Sequence, residues 1–132
     1  MSENHGRIRW SELMTRDPEA ATAYHTKVCG WAFEAMEMED GQTYHIASTP
    51  DGMPAAGVMD MRPMEHLAQV PPHWFTYIAV DDVDAAVAET AAAGGRVQRA
   101  PWDVPGVGRI AILADPTGAV MGLMTPQANT GG

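Results

Sequence analysis

The stretch WSELMTRDPEAATAYHTKVCGW, Trp10 to Trp31, decides how the rest of the chain is read. Trp10, Glu12 and Met14 alternate with Ser11, Leu13 and Thr15, the two-residue period of a strand with two different faces. Asp17 then offers a carboxylate to the unpaired N–H groups of a helix start. Pro18 suits the first helical position, where its missing N–H costs nothing, and Glu19 suits the positive end of the helix dipole. Gly30 stops the helix, because glycine reaches the left-handed conformation without a Cβ clash. The predicted unit is a strand, a capped helix and a stop.

The same unit returns further along the chain. Trp74 to Val80 (WFTYIAV) reads as a strand, Asp82 as a cap, Val83 to Ala93 as a helix and Gly94-Gly95 as its stop. Val83, Val87 and Ala91 share one helical face. At an offset of 65, Asp17 meets Asp82, Glu19 meets Asp84, Ala20-Ala21 meets Ala85-Ala86 and Gly30 meets Gly95. Gly57-Val58-Met59 meets Gly122-Leu123-Met124 at the same offset, so no net gap intervenes. Self-similarity of this kind points to a duplicated unit.

Three further strands follow each helix. Ala32 to Glu39 runs into an Asp40-Gly41 turn, then come Thr43 to Ser48 (TYHIAS), the Pro50-Asp51-Gly52 turn and Ala56 to Met61. In the second half Arg96 to Arg99 starts a strand, and Pro101 to Gly108 (PWDVPGVG) is a loop. Arg109 to Ala114 is a strand, Asp115-Pro116-Thr117-Gly118 a turn and Ala119 to Thr125 the last strand. The predicted class is α+β: two βαβββ modules forming a curved, cleft-enclosing mixed sheet, since neither half buries its sheet alone. The chain is read as one domain, with modules at about 7–61 and 74–125, a linker at 62–73 and a frayed tail at 126–132.

Composition narrows the function. The 132 residues give 45% hydrophobic and 19% charged content, ordinary for a globular chain with its own core. A formal charge of -9 disfavours a nucleic-acid partner, which needs a basic patch. No apolar run approaches the roughly 20 residues needed to span a bilayer, so no membrane partner is expected. The opening MSENHGRIRW lacks a signal-peptide core, and a cytoplasmic location is expected. The single cysteine, Cys29, rules out an internal disulfide; at a helix C-terminus it reads as a buried, unreactive thiol.

The two modules, with Asp17-Pro18-Glu19-Ala20-Ala21, Tyr24-His25, Lys27 to Trp31, Asp82 to Ala86, Gly94-Gly95 and Asp115 to Gly118, resemble the vicinal oxygen chelate superfamily. That group includes glyoxalase I, bleomycin-resistance proteins and extradiol dioxygenases, and the resemblance covers about Arg7 to Thr125. Trp10, Glu12-Leu13, the Pro-rich lead into Trp74, and Pro105-Gly106 with Gly108-Arg109 resemble a glyoxalase-like subgroup. The resemblance implies a homodimer and a ligand cleft. It also implies four metal-ligand positions, on the first and last strands of each module, which fall here on Trp10, about Gly57, Phe75 and Gly122. None of these side chains is a donor for a divalent metal. The reading is therefore a domain with no metal and no cofactor, binding a small, partly apolar organic ligand.

Ligand-binding candidates are Trp10 and Phe75 at the symmetric first-strand positions, with Met14, Met59 and Met124; Met121 is placed near the same strand ends. The same residues equally suit a core. Glu12 and Tyr77, two residues further along each first strand, are the catalytic candidates: a buried carboxylate as general base and a phenol as hydrogen-bond donor. A carboxylate satisfied structurally at a module or dimer seam is the competing reading. Two alternatives accompany the binding domain. One is a metal-dependent lyase, isomerase or dioxygenase with displaced ligands, for example Glu12, His45 and His73; the other is a metal-free enzyme using Glu12. His5 is assigned to a frayed terminus, and Arg109 to solvent or an anionic ligand.

Overall fold

Eight strands and two helices follow one another in the computed structural model, which describes residues 2–38 and 41–127. The expected Asp40-Gly41 turn lies partly outside the described residues. In order the elements are β1 (Ile8–Thr15), α1 (Pro18–Cys29), β2 (Ala32–Glu37), β3 (Thr43–Ser48), β4 (Pro54–Asp60), β5 (His73–Ala79), α2 (Val83–Thr90), β6 (Arg96–Val104), β7 (Gly108–Ala114) and β8 (Val120–Pro126). The α+β class and the two βαβββ modules are as expected. The chain divides into two compact units, Trp10–Phe75 and the described residues of Met1–Arg9 with Thr76–Gly132.

In the unit Trp10–Phe75, β1 pairs parallel with β4, and β4, β3 and β2 continue as antiparallel neighbours. Parallel strands need a crossover, and α1 supplies it. Asp17 accepts from the Ala20 N–H at 3.0 Å, and Gly30 closes the helix with φ 73°. α1 packs against β4 and β2. Leu13, Val58, Ala47 and Ala56, all buried, share one sheet face, because Leu13 stands opposite Val58 and Ala47 opposite Ala56. The predicted linker contains a short 3-10 turn, Glu65–Leu67. Arg16 holds it by donating to the carbonyls of Leu67 at 2.8 Å, Ala68 at 3.2 Å and Val70 at 2.8 Å.

The second unit repeats the plan. β5 pairs parallel with β8, followed by β7 and β6. Asp82 accepts from the Ala85 N–H at 3.1 Å. Val83 and Val87 of α2 pack with Ala111, Leu113, Met121 and Leu123. Met121 therefore belongs to the helix-covered core, not to the strand ends where it was expected. α2 stops at Thr90, before the predicted Ala93, because its end tightens. Gly94 N–H bonds the Ala91 carbonyl at 3.1 Å and Gly95 N–H the Thr90 carbonyl at 2.9 Å, with Gly94 at φ 90°.

Three other expectations change. Pro101 to Val104 is strand, not loop: β6 absorbs Pro101 within the register shift between Arg99 and Trp102, at the end of its unit's strand order, where a missing N–H is tolerated. Cys29 is exposed, because Pro18 alone is buried in α1. His5 is tied down rather than frayed: its Nδ1 accepts the Asp81 N–H at 2.9 Å. Beside it, Gly6 N–H donates to the Ala79 carbonyl at 2.7 Å and Ala79 N–H to the Arg7 carbonyl at 2.8 Å.

The predicted Asp115 turn is present. Its carboxylate accepts from the Thr117 N–H at 2.8 Å, the Thr117 hydroxyl at 2.6 Å and the Ala119 N–H at 3.1 Å. The Thr117 hydroxyl first, then these backbone donors, hold the Asp115 carboxyl below its usual range.

Two outcomes follow from these local devices. Asp17→Ala and Asp82→Ala should each cost about 1 kcal/mol, read as a fall of roughly 3 °C in thermal melting. Asp115→Asn should melt below wild type at neutral pH. A carboxylate with a depressed folded pKa stabilises above its unfolded value, and that contribution disappears as pH falls through the folded one. The gap should thus be constant above about pH 5 and close towards pH 2 in melts across that range.

Candidate functional site

Strand register brings most of the candidates in the unit Trp10–Phe75 onto one face. Trp10, Glu12 and Met14 alternate along β1, with Glu12 opposite Gly57 and Met14 opposite Met59 on β4. Across β4, Gly57 stands opposite Ile46 and Met59 opposite Tyr44 on β3. The face therefore carries Trp10, Glu12, Met14, Tyr44, Ile46 and Met59. Glu12 and Met14 are buried at 7% exposure each, while Trp10, Tyr44 and Met59 are half-buried. Phe75 on β5 is buried, with the His73 ring edge-on at 6.5 Å.

The polar centre of this face is a hydrogen bond that the sequence did not announce. The Trp10 indole Nε1–H donates to the Tyr44 hydroxyl at 2.9 Å. Indole offers a donor only, so the Tyr44 oxygen is the acceptor. No motif marks Tyr44, which sits mid-strand in TYHIAS. The usable signal was indirect: a glycine at position 57, where a ligand side chain was expected, leaves space that another residue fills.

In the second unit Tyr77 stands opposite Gly122 and Ala79 opposite Met124, with Ile112 and Ile110 opposite the same two β8 residues on β7. Tyr77, Met124, Ile110 and Ile112 thus line the corresponding face, Met124 and Ile110 buried and Tyr77 half-buried. Arg109 is engaged elsewhere. It donates through Nε and Nη2 to Asp84 at 2.9 and 3.1 Å and through Nη1 to Asp103 at 3.1 Å, which raises its pKa further.

The donor set can be tested against a metal. The four mapped positions carry an indole, a phenyl ring and two glycines, none of which is a metal donor. The displaced set fails on geometry: His45 stands opposite Val58, on the other sheet face from Glu12 and Gly57. His73 donates from Nδ1 to the Pro71 carbonyl at 2.8 Å, which orients its ring. Among the described residues no group of three His, Cys, Asp or Glu side chains could hold a metal ion. These residues do not fit a metal centre.

An aromatic group outside the predicted site also emerges. His25 on α1 donates from Nδ1 to the Ala21 carbonyl at 2.8 Å and stacks on Trp31 at 5.3 Å, with Tyr24 and Trp74 edge-on. These four rings were read separately in the sequence because α1, the residue before β2, and β5 contribute them.

Two βαβββ modules with parallel first and last strands define a class, and comparison with known proteins agrees. Residues 7–122 match the model of the Glyoxalase/Bleomycin resistance protein/Dioxygenase superfamily, and the chain belongs to that family. It is 42% identical over 121 residues to "Putative glyoxylase CFP32" of Mycobacterium tuberculosis, covering 92% of this chain and 44% of that protein. It is 31% identical over 124 residues to the anthracycline biosynthesis protein DnrV of Streptomyces peucetius, covering 86% of this chain and 45% of that protein. The chain spans less than half the length of these curated relatives. A methylmalonyl-CoA epimerase structure from Streptomyces coelicolor superposes with TM-score 0.69 at 22% identity, over 94% of this chain and 99% of that one, which shows the fold. No helix among the described residues is long and apolar enough to cross a membrane.

Proposed function

We propose that this glyoxalase-like domain binds a small, flat, partly apolar organic ligand without a metal, on the face carrying Trp10, Met14 and Met59, with Phe75 of the same unit contributing. The observation that carries the proposal is the Trp10–Tyr44 pair. Where metal-using relatives place donor side chains, this chain sets two hydrogen-bonded aromatic side chains beside methionines. Aromatic rings with a polar edge suit flat ligands, and thioethers adapt to their outline. The relative named for anthracycline biosynthesis supports the ligand class, since anthracyclines are flat and polycyclic. A cytoplasmic location and pairing of two copies belong to the same proposal, carried over from the resemblance.

Titration of the protein with 1,8-dihydroxyanthraquinone should quench tryptophan emission saturably and raise the melting temperature by a few °C at saturation. EDTA should leave both unchanged, Trp10→Ala should weaken binding at least tenfold, and light scattering should give twice 14.2 kDa. An absence of saturable quenching across a panel of planar aromatics, with no thermal shift, would sink the binding reading.

Burial of Glu12 favours a second reading, a metal-free enzyme. The 7% exposure of the Glu12 carboxylate on the ligand face supports its reading as a general base. Glu12→Gln should then reduce turnover of a substrate at least a hundredfold while the far-ultraviolet spectrum stays native. Unchanged turnover removes Glu12 from the chemistry.

A further inference from the structure

We infer that Tyr44 is the specificity-determining residue of the first module: its ring, steered by Trp10, fills the space over Gly57 and closes the position to any other side chain. A β-carbon built on Gly57 would lie 1.6 Å from the Tyr44 hydroxyl oxygen, 2.2 Å from Cζ and 2.8 Å from Cε2. Atoms do not approach so closely, so the tyrosine and a side chain at 57 are mutually exclusive in this arrangement. The tyrosine reaches Gly57 diagonally, because its own partner across the ladder is Met59. Its ring stays there through the 2.9 Å hydrogen bond from Trp10 Nε1.

Two consequences follow. The first module differs from a metal-using site by more than missing donors, because a donor introduced at position 57 has no room while Tyr44 remains. What a ligand meets at that place is a phenol positioned by an indole. The second module is built differently: Ile110 stands opposite Met124, two residues beyond Gly122, as Tyr44 stands opposite Met59, two beyond Gly57. A phenol reaching the last-strand glycine from the antiparallel neighbour is thus a feature of the first module; the same ladder position in the second carries Ile110. This inference concerns the closing of position 57 and stands apart from the identity of the ligand.

A thermal double-mutant cycle tests it without any ligand. Gly57→Ala should lower the melting temperature by about 5 °C or more in the wild-type background and equally in Tyr44→Phe, which keeps the ring. In Tyr44→Ala the same substitution should cost no more than about 1–2 °C. If Gly57→Ala alone does not fold, the double variant should fold and melt as Tyr44→Ala does. Equal losses with and without the ring, or no loss in any background, would overturn the inference. The steering role has its own readout: Tyr44→Phe should shift the tryptophan emission spectrum in the wild type and leave it unchanged in a Trp10→Phe background. A shift of the same size in both would assign it to another tryptophan and remove Trp10 from the device.

Discussion

Parallel pairing between the first and last strand of each module is the constraint from which the rest follows. Glu12 against Gly57 and Tyr77 against Gly122 are corresponding pairs, 65 residues apart on both strands. Parallel neighbours cannot be joined by a tight turn, so each module must carry a helix between its first strand and the antiparallel ribbon that returns its last strand. The helix needs a sharp start, and Asp17 and Asp82 provide it. Once the helix covers one face, as α2 covers Leu113 and Leu123, the opposite face carries what remains for function.

Register then converts a duplication into chemistry. A one-residue slip would exchange Glu12 with Leu13 and put His45 beside Gly57. The observed register does the reverse: it buries the leucine with Val58 and sends His45 to the side where no other candidate stands. Membership of the family therefore fixes the fold while leaving the chemistry to a few positions on one face. On that face of the first unit this chain sets Trp10, Tyr44, Met14 and Met59 around the carboxylate of Glu12.

Much of the fold was legible because its signals are local. Caps, glycine stops and the Asp115 turn each lie within a few residues of what they bond, and the 65-residue offset preserved both copies of the plan. The site was legible only in part. Trp10, Glu12 and Met14 could be placed on one face from strand alternation alone. Tyr44 could not, because its role depends on a diagonal contact across a ladder whose register the turn before it does not announce. Pro101 misled for a related reason: a proline forbids a regular strand interior but not an end strand with shifted register. The order of residues 2–7 rests on bonds to Ala79 and Asp81, more than 70 positions away, which no window on the N-terminus contains.

That N-terminal arm has a bearing on how the duplicated halves can be handled. Gly6 and Arg7 share hydrogen bonds with Ala79, so the second unit includes residues from far upstream in the chain. Cutting the protein at the repeat boundary would not yield two interchangeable halves. The downstream piece would lose its clasp and the upstream piece would keep an arm with nothing to hold. Duplication has here produced two stretches alike in plan, while one compact unit draws its residues from two separate stretches of the chain.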